Sequence, residues 1–241
     1  MSAPRRAAAA GLLTLTLAAP AAARAAPADP LAPTAQSSLI ARIVRPTLGH
    51  AGPDGTSSVR MRLRTDAAWA HGPVGLMVLG SHVGASGRRW LRVAVPVRPN
   101  GTTAWIDRDA VQLVRTRWRV RVSLAQRRLT VLRSGRAVRS TRVVIGAPST
   151  PTPRGHFAIY ERVRQPRGAV IGPWALHLTA SSRVLHSYDG GPGRIALHGR
   201  AGGLLADPLG SARSHGCVRM PSRLISWLAR HLRAGVPVDI R

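Results

Sequence analysis

Arg119-Val120-Arg121-Val122 alternates charged and apolar side chains without a break, the two-residue period of a strand that buries one face. The same period, or a short apolar run bounded by turn residues, recurs at 39–44, 59–63, 74–79, 90–95 and 103–106. A second series follows at 128–132, 137–138, 141–145, 156–160 and 195–198. Arg98-Pro99-Asn100-Gly101 is a turn feeding the strand at 103–106, and Ser134-Gly135 turns the chain into 137–138. Helical spacing stands out once: Leu224, Ile225, Leu228 and Leu232 share a face, with Ser222 as the expected N-cap and Gly235 closing the segment. Residues 238–240 make a short last strand. The pattern predicts a mainly β protein with one or two short helices and no internal repeat.

The ends of the pattern set the expected domain plan. Arg5-Arg6 precede an apolar run over 7–19 and then the small residues Ala21-Ala22-Ala23 and Ala26-Pro27-Ala28, the order of a secretory signal peptide, so residues 1–28 are expected to be removed on export. A run of that length is short of the roughly 20 residues of a membrane span, and no later run is long enough. Residues 29–38, rich in Pro, Ala and Ser, are expected to form a flexible linker. Two β-rich units follow, 39–116 and 117–241, and the expected location is the cell wall, the periplasm or the extracellular medium.

Composition changes this picture little, and charge changes it more. All 36 basic side chains are Arg and none is Lys, which together with abundant Ala, Gly and Pro reads as a coding bias. Only 9 acidic residues oppose them, leaving a formal charge of +27 that attracts polyanions, with anionic wall polymers as candidate partners. Nucleic acid is not expected as a partner, because the arginines are spread along the chain and form no stacking platform with aromatics.

The chain carries one cysteine, Cys217, in the run Ser214-His215-Gly216-Cys217-Val218-Arg219, nineteen positions after His198-Gly199. A lone cysteine in an exported chain has no partner for an internal disulfide, which leaves burial as a small apolar residue, metal ligation or nucleophilic chemistry. A thiol attacks as thiolate and needs a base, for which His198 and His215 are the candidates. Backbone N–H groups around Gly216 and Cys217 are candidate oxyanion donors. The remaining histidines, His50, His71, His82, His156, His177, His186 and His231, read as surface or packing residues.

Five segments in order resemble the L,D-transpeptidases with a YkuD-type catalytic domain. They are Arg128-Leu129-Thr130-Val131-Leu132, the loop from Gly146 through Pro153 to Gly155, Gly190-Gly191-Pro192-Gly193, Ile195-Ala196-Leu197-His198-Gly199 and Ser214-His215-Gly216-Cys217. The resemblance covers the second unit and implies a YkuD-like β-sandwich or barrel. It implies Cys217 as nucleophile, His198 as base and later acid, and His215 as the histidine that shapes the site. Many relatives carry a serine where this chain has Gly199, so the imidazole must be oriented by the backbone carbonyl there. Ser214, Gly216 and Arg219 are expected to bind substrate or oxyanion; Arg219 would hold a carboxylate in a bidentate fork or bond the local backbone. Relatives often place a tyrosine in the lid near 171–176, where this chain has Ile171 and Trp174.

The activity implied is acyl transfer between peptidoglycan stem peptides by an acyl-enzyme on Cys217 with release of D-Ala, by a monomer and without metal or cofactor. The first unit resembles the small SH3-like modules that precede such domains, through 90–93 and 98–106. Three alternatives stay open on the sequence: an L,D-carboxypeptidase or other hydrolase of wall peptides using the same site, a non-catalytic cationic wall-binding protein, and a zinc hydrolase with His198, His215 and Cys217 as ligands.

Overall fold

The computed structural model describes residues 29–70, 72–188 and 190–241. The expected signal peptide and His71 lie outside them. The described chain is mainly β, with two large sheets, one two-stranded sheet and a single α-helix. No helix among the described residues is long and apolar enough to cross a membrane.

The first sheet is built from β1 (Ser38–Ile43), β2 (Thr47–His50), β3 (Val59–Leu63), β4 (Gly75–Val83), β5 (Arg89–Ala94), β6 (Thr103–Asp107) and β7 (Val111–Thr116), in the order β3-β2-β6-β5-β4-β1-β7. Five of these seven follow the hydrophobic pattern; β2 and β7 carry too few strictly alternating positions to be read from it. Inward residues such as Ala41, Leu76, Val78, Leu91, Val93 and Ile106 are essentially inaccessible and form the core of this unit. Asp29 bonds the Ser81 backbone and hydroxyl, and the Thr34 carbonyl accepts from Arg119 at 2.9 Å, so the segment expected as a flexible linker is tied down at both of these points.

The second sheet contains β8 (Trp118–Ser123), β9 (Arg128–Arg133), β10 (Arg136–Arg142), β12 (Gly155–Arg164), β13 (Trp174–Ser181), β14 (Arg194–His198), β16 (Val218–Arg219) and β17 (Pro237–Ile240). Their order is β10-β9-β8-β17-β12-β13-β14-β16. β11 (Ile145–Gly146) pairs with β15 (Ala212–Ser214) beside it. The one α-helix among the described residues, α1 (Ser222–His231), packs on β13 and β14 through Ile225, Leu228 and Ala229, continuing the face expected from its spacing.

One helix signal is corrected. The N-cap position belongs to Pro221, and no side chain caps the helix. The Ser222 hydroxyl reaches the other way, accepting from Arg200 N–H at 3.1 Å and donating to the Arg200 carbonyl at 2.7 Å. A hydroxyl on the first turn that meets an unpaired loop backbone gains two hydrogen bonds where a cap would gain one.

The two units share their interface closely. Ile40 of β1 packs in the core of the second unit, and Tyr160 of β12 packs in the core of the first. Asn100, from the 98–101 turn, exchanges two 2.8 Å hydrogen bonds with the Ser181 backbone, and buried Glu161 accepts from the Trp69 and Ala70 amides at 3.2 Å each.

Candidate active site

Two strands place the cysteine. β14 and β16 run parallel, with Leu197 opposite Val218 and His198 opposite Arg219, so the residue before β16, Cys217, is carried to the edge of β14. There its Sγ accepts from Ala196 N–H at 3.4 Å. Burial pushes the Cys217 thiol up from its ordinary value, with the Ala196 amide and the Arg219 charge pulling against it. The resting group is therefore the neutral thiol.

The turn that presents Cys217 is braced from below. Gly216 has φ +115°, a region closed to most side chains, and a Cβ there would stand 2.9 Å from Ile195 Cδ1. Ser214, 1% exposed, accepts from Gly216 N–H at 3.1 Å and donates to the Cys217 carbonyl at 2.6 Å. Thr152, in the proline-rich loop, donates to the Gly216 carbonyl at 2.8 Å and accepts from Gly146 N–H at 2.8 Å. Ser214, expected to bind substrate or oxyanion, has its hydroxyl occupied inside the turn, where it braces the backbone that carries Cys217. The Gly216 amide is likewise occupied, leaving Cys217 N–H as the oxyanion donor candidate of the pair.

His198 is 5% exposed, at the end of β14. Its Nδ1 lies 2.7 Å from the Gly199 carbonyl, and since a carbonyl only accepts, Nδ1 carries the proton. Burial lowers its pKa to about 4, against the Gly199 bond and with help from the Arg219 charge, so the ring is neutral at pH 7 and Nε2 is an acceptor. Cys217 and His198 line one cleft of about 540 Å³. A larger cavity of about 640 Å³ between the two units, lined by Arg42, Arg162 and Trp174 among others, contains neither residue.

Arg219, 7% exposed, also lines the cleft but is held by Asp207 at 2.6 Å, a partner with no mark in the local sequence. One arm of its fork is engaged by that carboxylate, its Nε is buried without a partner among the described residues, and its positive charge bears on both His198 and Cys217. His215 is exposed at the rim, with its Nδ1 3.4 Å from the Tyr188 hydroxyl and the rings 5.3 Å apart. Ile171 lines the cleft, whereas Trp174 lies under Arg164 on the wall of the larger cavity.

Sequence reasoning missed three residues here. Tyr188 supplies an aromatic hydroxyl at the rim from a different loop than the expected lid. His177, read as a packing residue, sits on β13 opposite Ala196 and lines the cleft, with burial, Arg194 and His198 lowering it to about 4. Trp69 comes from the first unit and stands on the His177 ring at 5.3 Å in an edge-to-face arrangement. Only composition could have marked Trp69, as one of six tryptophans in an aromatic-poor chain.

Residues 117–240 match the family model of the YkuD L,D-transpeptidase catalytic domain. A Bacillus licheniformis protein named L,D-transpeptidase YkuD is 29% identical over 123 residues, covering 51% of this chain and 65% of that protein. The chain therefore spans just under two thirds of that relative's length. Solved structures similar to the chain include an L,D-transpeptidase from Mycobacterium smegmatis at 16% identity and TM-score 0.40, covering 69% of this chain and 99% of that one. Another is a mutant Enterococcus faecium L,D-transpeptidase at 19% identity and TM-score 0.39, covering 52% of this chain and 49% of that one.

Proposed function

The chain belongs to the YkuD L,D-transpeptidase family, and on that premise we propose that it is an exported cysteine acyltransferase that cross-links peptidoglycan stem peptides. The observation that carries the chemistry is the neutral pair in one cleft. His198 has its Nδ1–H committed to Gly199, which leaves Nε2 as the ring's acceptor, and it lines the same cleft as the chain's single thiol.

In this reading, Cys217 Sγ attacks the carbonyl that joins the diamino acid of the donor stem to its terminal D-Ala, and the thiol proton passes to His198 Nε2. Cys217 N–H holds the oxyanion of the tetrahedral intermediate. Collapse breaks the C–N bond, D-Ala leaves as an amine taking the proton from the imidazolium, and a thioester remains on Cys217. A side-chain amine of a second stem then attacks the thioester, His198 accepts its proton and returns it to the sulfur, and the new amide leaves. Water in place of the amine gives a carboxypeptidase from the same site.

The deciding experiment incubates purified protein with a disaccharide bearing a tetrapeptide stem and weighs the products. Dimers short of one D-Ala are expected, together with a covalent adduct on Cys217 that is missing in Cys217→Ala. Shortened monomers alone would turn the assignment to hydrolysis, and products unchanged by Cys217→Ala would remove it.

A further inference from the structure

Trp69 belongs to the first unit, in the loop between β3 and β4, yet it forms part of the wall of the catalytic cleft. Its indole is 45% exposed, which leaves a broad aromatic face open where most large apolar side chains of this chain are covered. The loop is fixed, because the Glu161 carboxylate, 3% exposed on β12, accepts from the Trp69 and Ala70 amides. A charge-assisted bond from a buried carboxylate to two successive amides fixes the backbone that carries the indole. From there the path to the nucleophile is short: the indole stands on His177, His177 pairs across the sheet with Ala196, and Ala196 N–H bonds Cys217 Sγ.

This inference rests on the proposed acyl transfer. A diamino acid acylated onto Cys217 brings its own side chain into the cleft, a run of methylenes ending in an ammonium group. A cation in a partly dry cleft needs a negative or electron-rich partner. Among the described residues lining the cleft none is Asp or Glu, and Glu161 and Asp207 nearby are engaged, Glu161 by backbone amides and Asp207 by Arg219. The open indole face offers both apolar surface for the methylenes and a π-cloud for the ammonium, a combination that the polar side chains of Tyr188 and Gln165 in the same cleft do not provide.

We propose that Trp69 is a specificity-determining residue of the transpeptidase site, through which the first unit recognises the cationic side chain of the diamino acid being acylated. The first unit is then part of the enzyme's substrate recognition as well as a spacer.

The test measures the rate of D-Ala release at limiting substrate by the mature full-length protein, using stems with L-lysine or L-norleucine at the acylated position. Norleucine keeps the methylenes and removes the charge. The wild type should favour lysine by about fivefold to tenfold, Trp69→Ala should bring the two stems within about twofold, and Trp69→Phe should keep an intermediate preference. Loss of discrimination with D-Ala release still measurable cannot come from misfolding. A wild type that releases D-Ala equally from both stems, or a Trp69→Ala variant that keeps the preference, overturns the proposal and leaves the acyl transfer standing. No D-Ala release from either stem by the wild type overturns the acyl transfer and this inference with it.

Discussion

At the scale of single residues, the pair Cys217 and His198 rests as thiol and imidazole, because burial moves the two in opposite directions, thiol up and imidazole down to about 4. Both shifts disfavour the ion pair of thiolate and imidazolium, so in the proposed reaction proton transfer is tied to attack on the carbonyl and does not precede it. Alkylation by iodoacetamide reads the resting thiolate directly. The rate constant at Cys217 should be low at pH 7 and climb with pH through the alkaline range. D-Ala release should persist at neutral pH and fall only as His198 Nε2 is protonated, toward pH 4. An alkylation rate that stays on a plateau down to pH 5 would show a preformed thiolate and reverse this account.

At the scale of elements, the start of α1 positions His198, the base of the proposed reaction. The Ser222 hydroxyl holds both backbone groups of Arg200, and a Cβ on Gly199 would stand 2.7 Å from that oxygen, so the segment after His198 lies against the helix. Gly199 is thereby fixed as the carbonyl that orients the imidazole. Ser222→Ala removes two hydrogen bonds and should cost about 1 to 3 kcal/mol in urea unfolding. It should also lower kcat for D-Ala release several-fold with KM nearly unchanged, as expected when the base loses its orientation but the cleft keeps its walls. An unchanged kcat would confine Ser222 to stability.

The same elements show what the sequence made legible. Strands with one wet face, such as β3 and β8, were readable because alternation records the asymmetry of their surroundings. β13 was not, since it lies between β12 and β14 with both faces largely covered and shows no alternation. That Cys217 and His198 belong to one site was legible through a motif only nineteen positions wide, and the two do line one cleft. Its environment was not: Glu161 bonds amides 91 and 92 positions away, and such pairings leave no local trace. Ser222 carried a local signal, an N-cap residue before a helix, and tertiary contact redirected it.

At the scale of the whole molecule, the boundary between the units at Arg117 divides the chain but not the core. Ile40, 4% exposed, is buried among residues of the second unit, Tyr160 among those of the first, and Met77 and Ala94 of the first close around Ala158 of the second. Gly75 and Gly235 mark how closely the units approach: a Cβ on Gly75 would stand 2.7 Å from the Ala234 carbonyl, and one on Gly235 would stand 2.5 Å from Ile40. Interfaces between independent domains are more polar and allow relative motion, whereas shared apolar contacts couple the unfolding of both sides. The mature protein should therefore unfold in one calorimetric transition whose calorimetric and van't Hoff enthalpies agree. Ile40→Ala should lower the midpoint without splitting it, at a cost of about 2 to 5 kcal/mol. Two resolved transitions, or a variant whose first unit melts while cleft alkylation at Cys217 stays native, would mean that the units fold independently. The reach of Trp69 into the cleft would then depend on a contact the first unit can release.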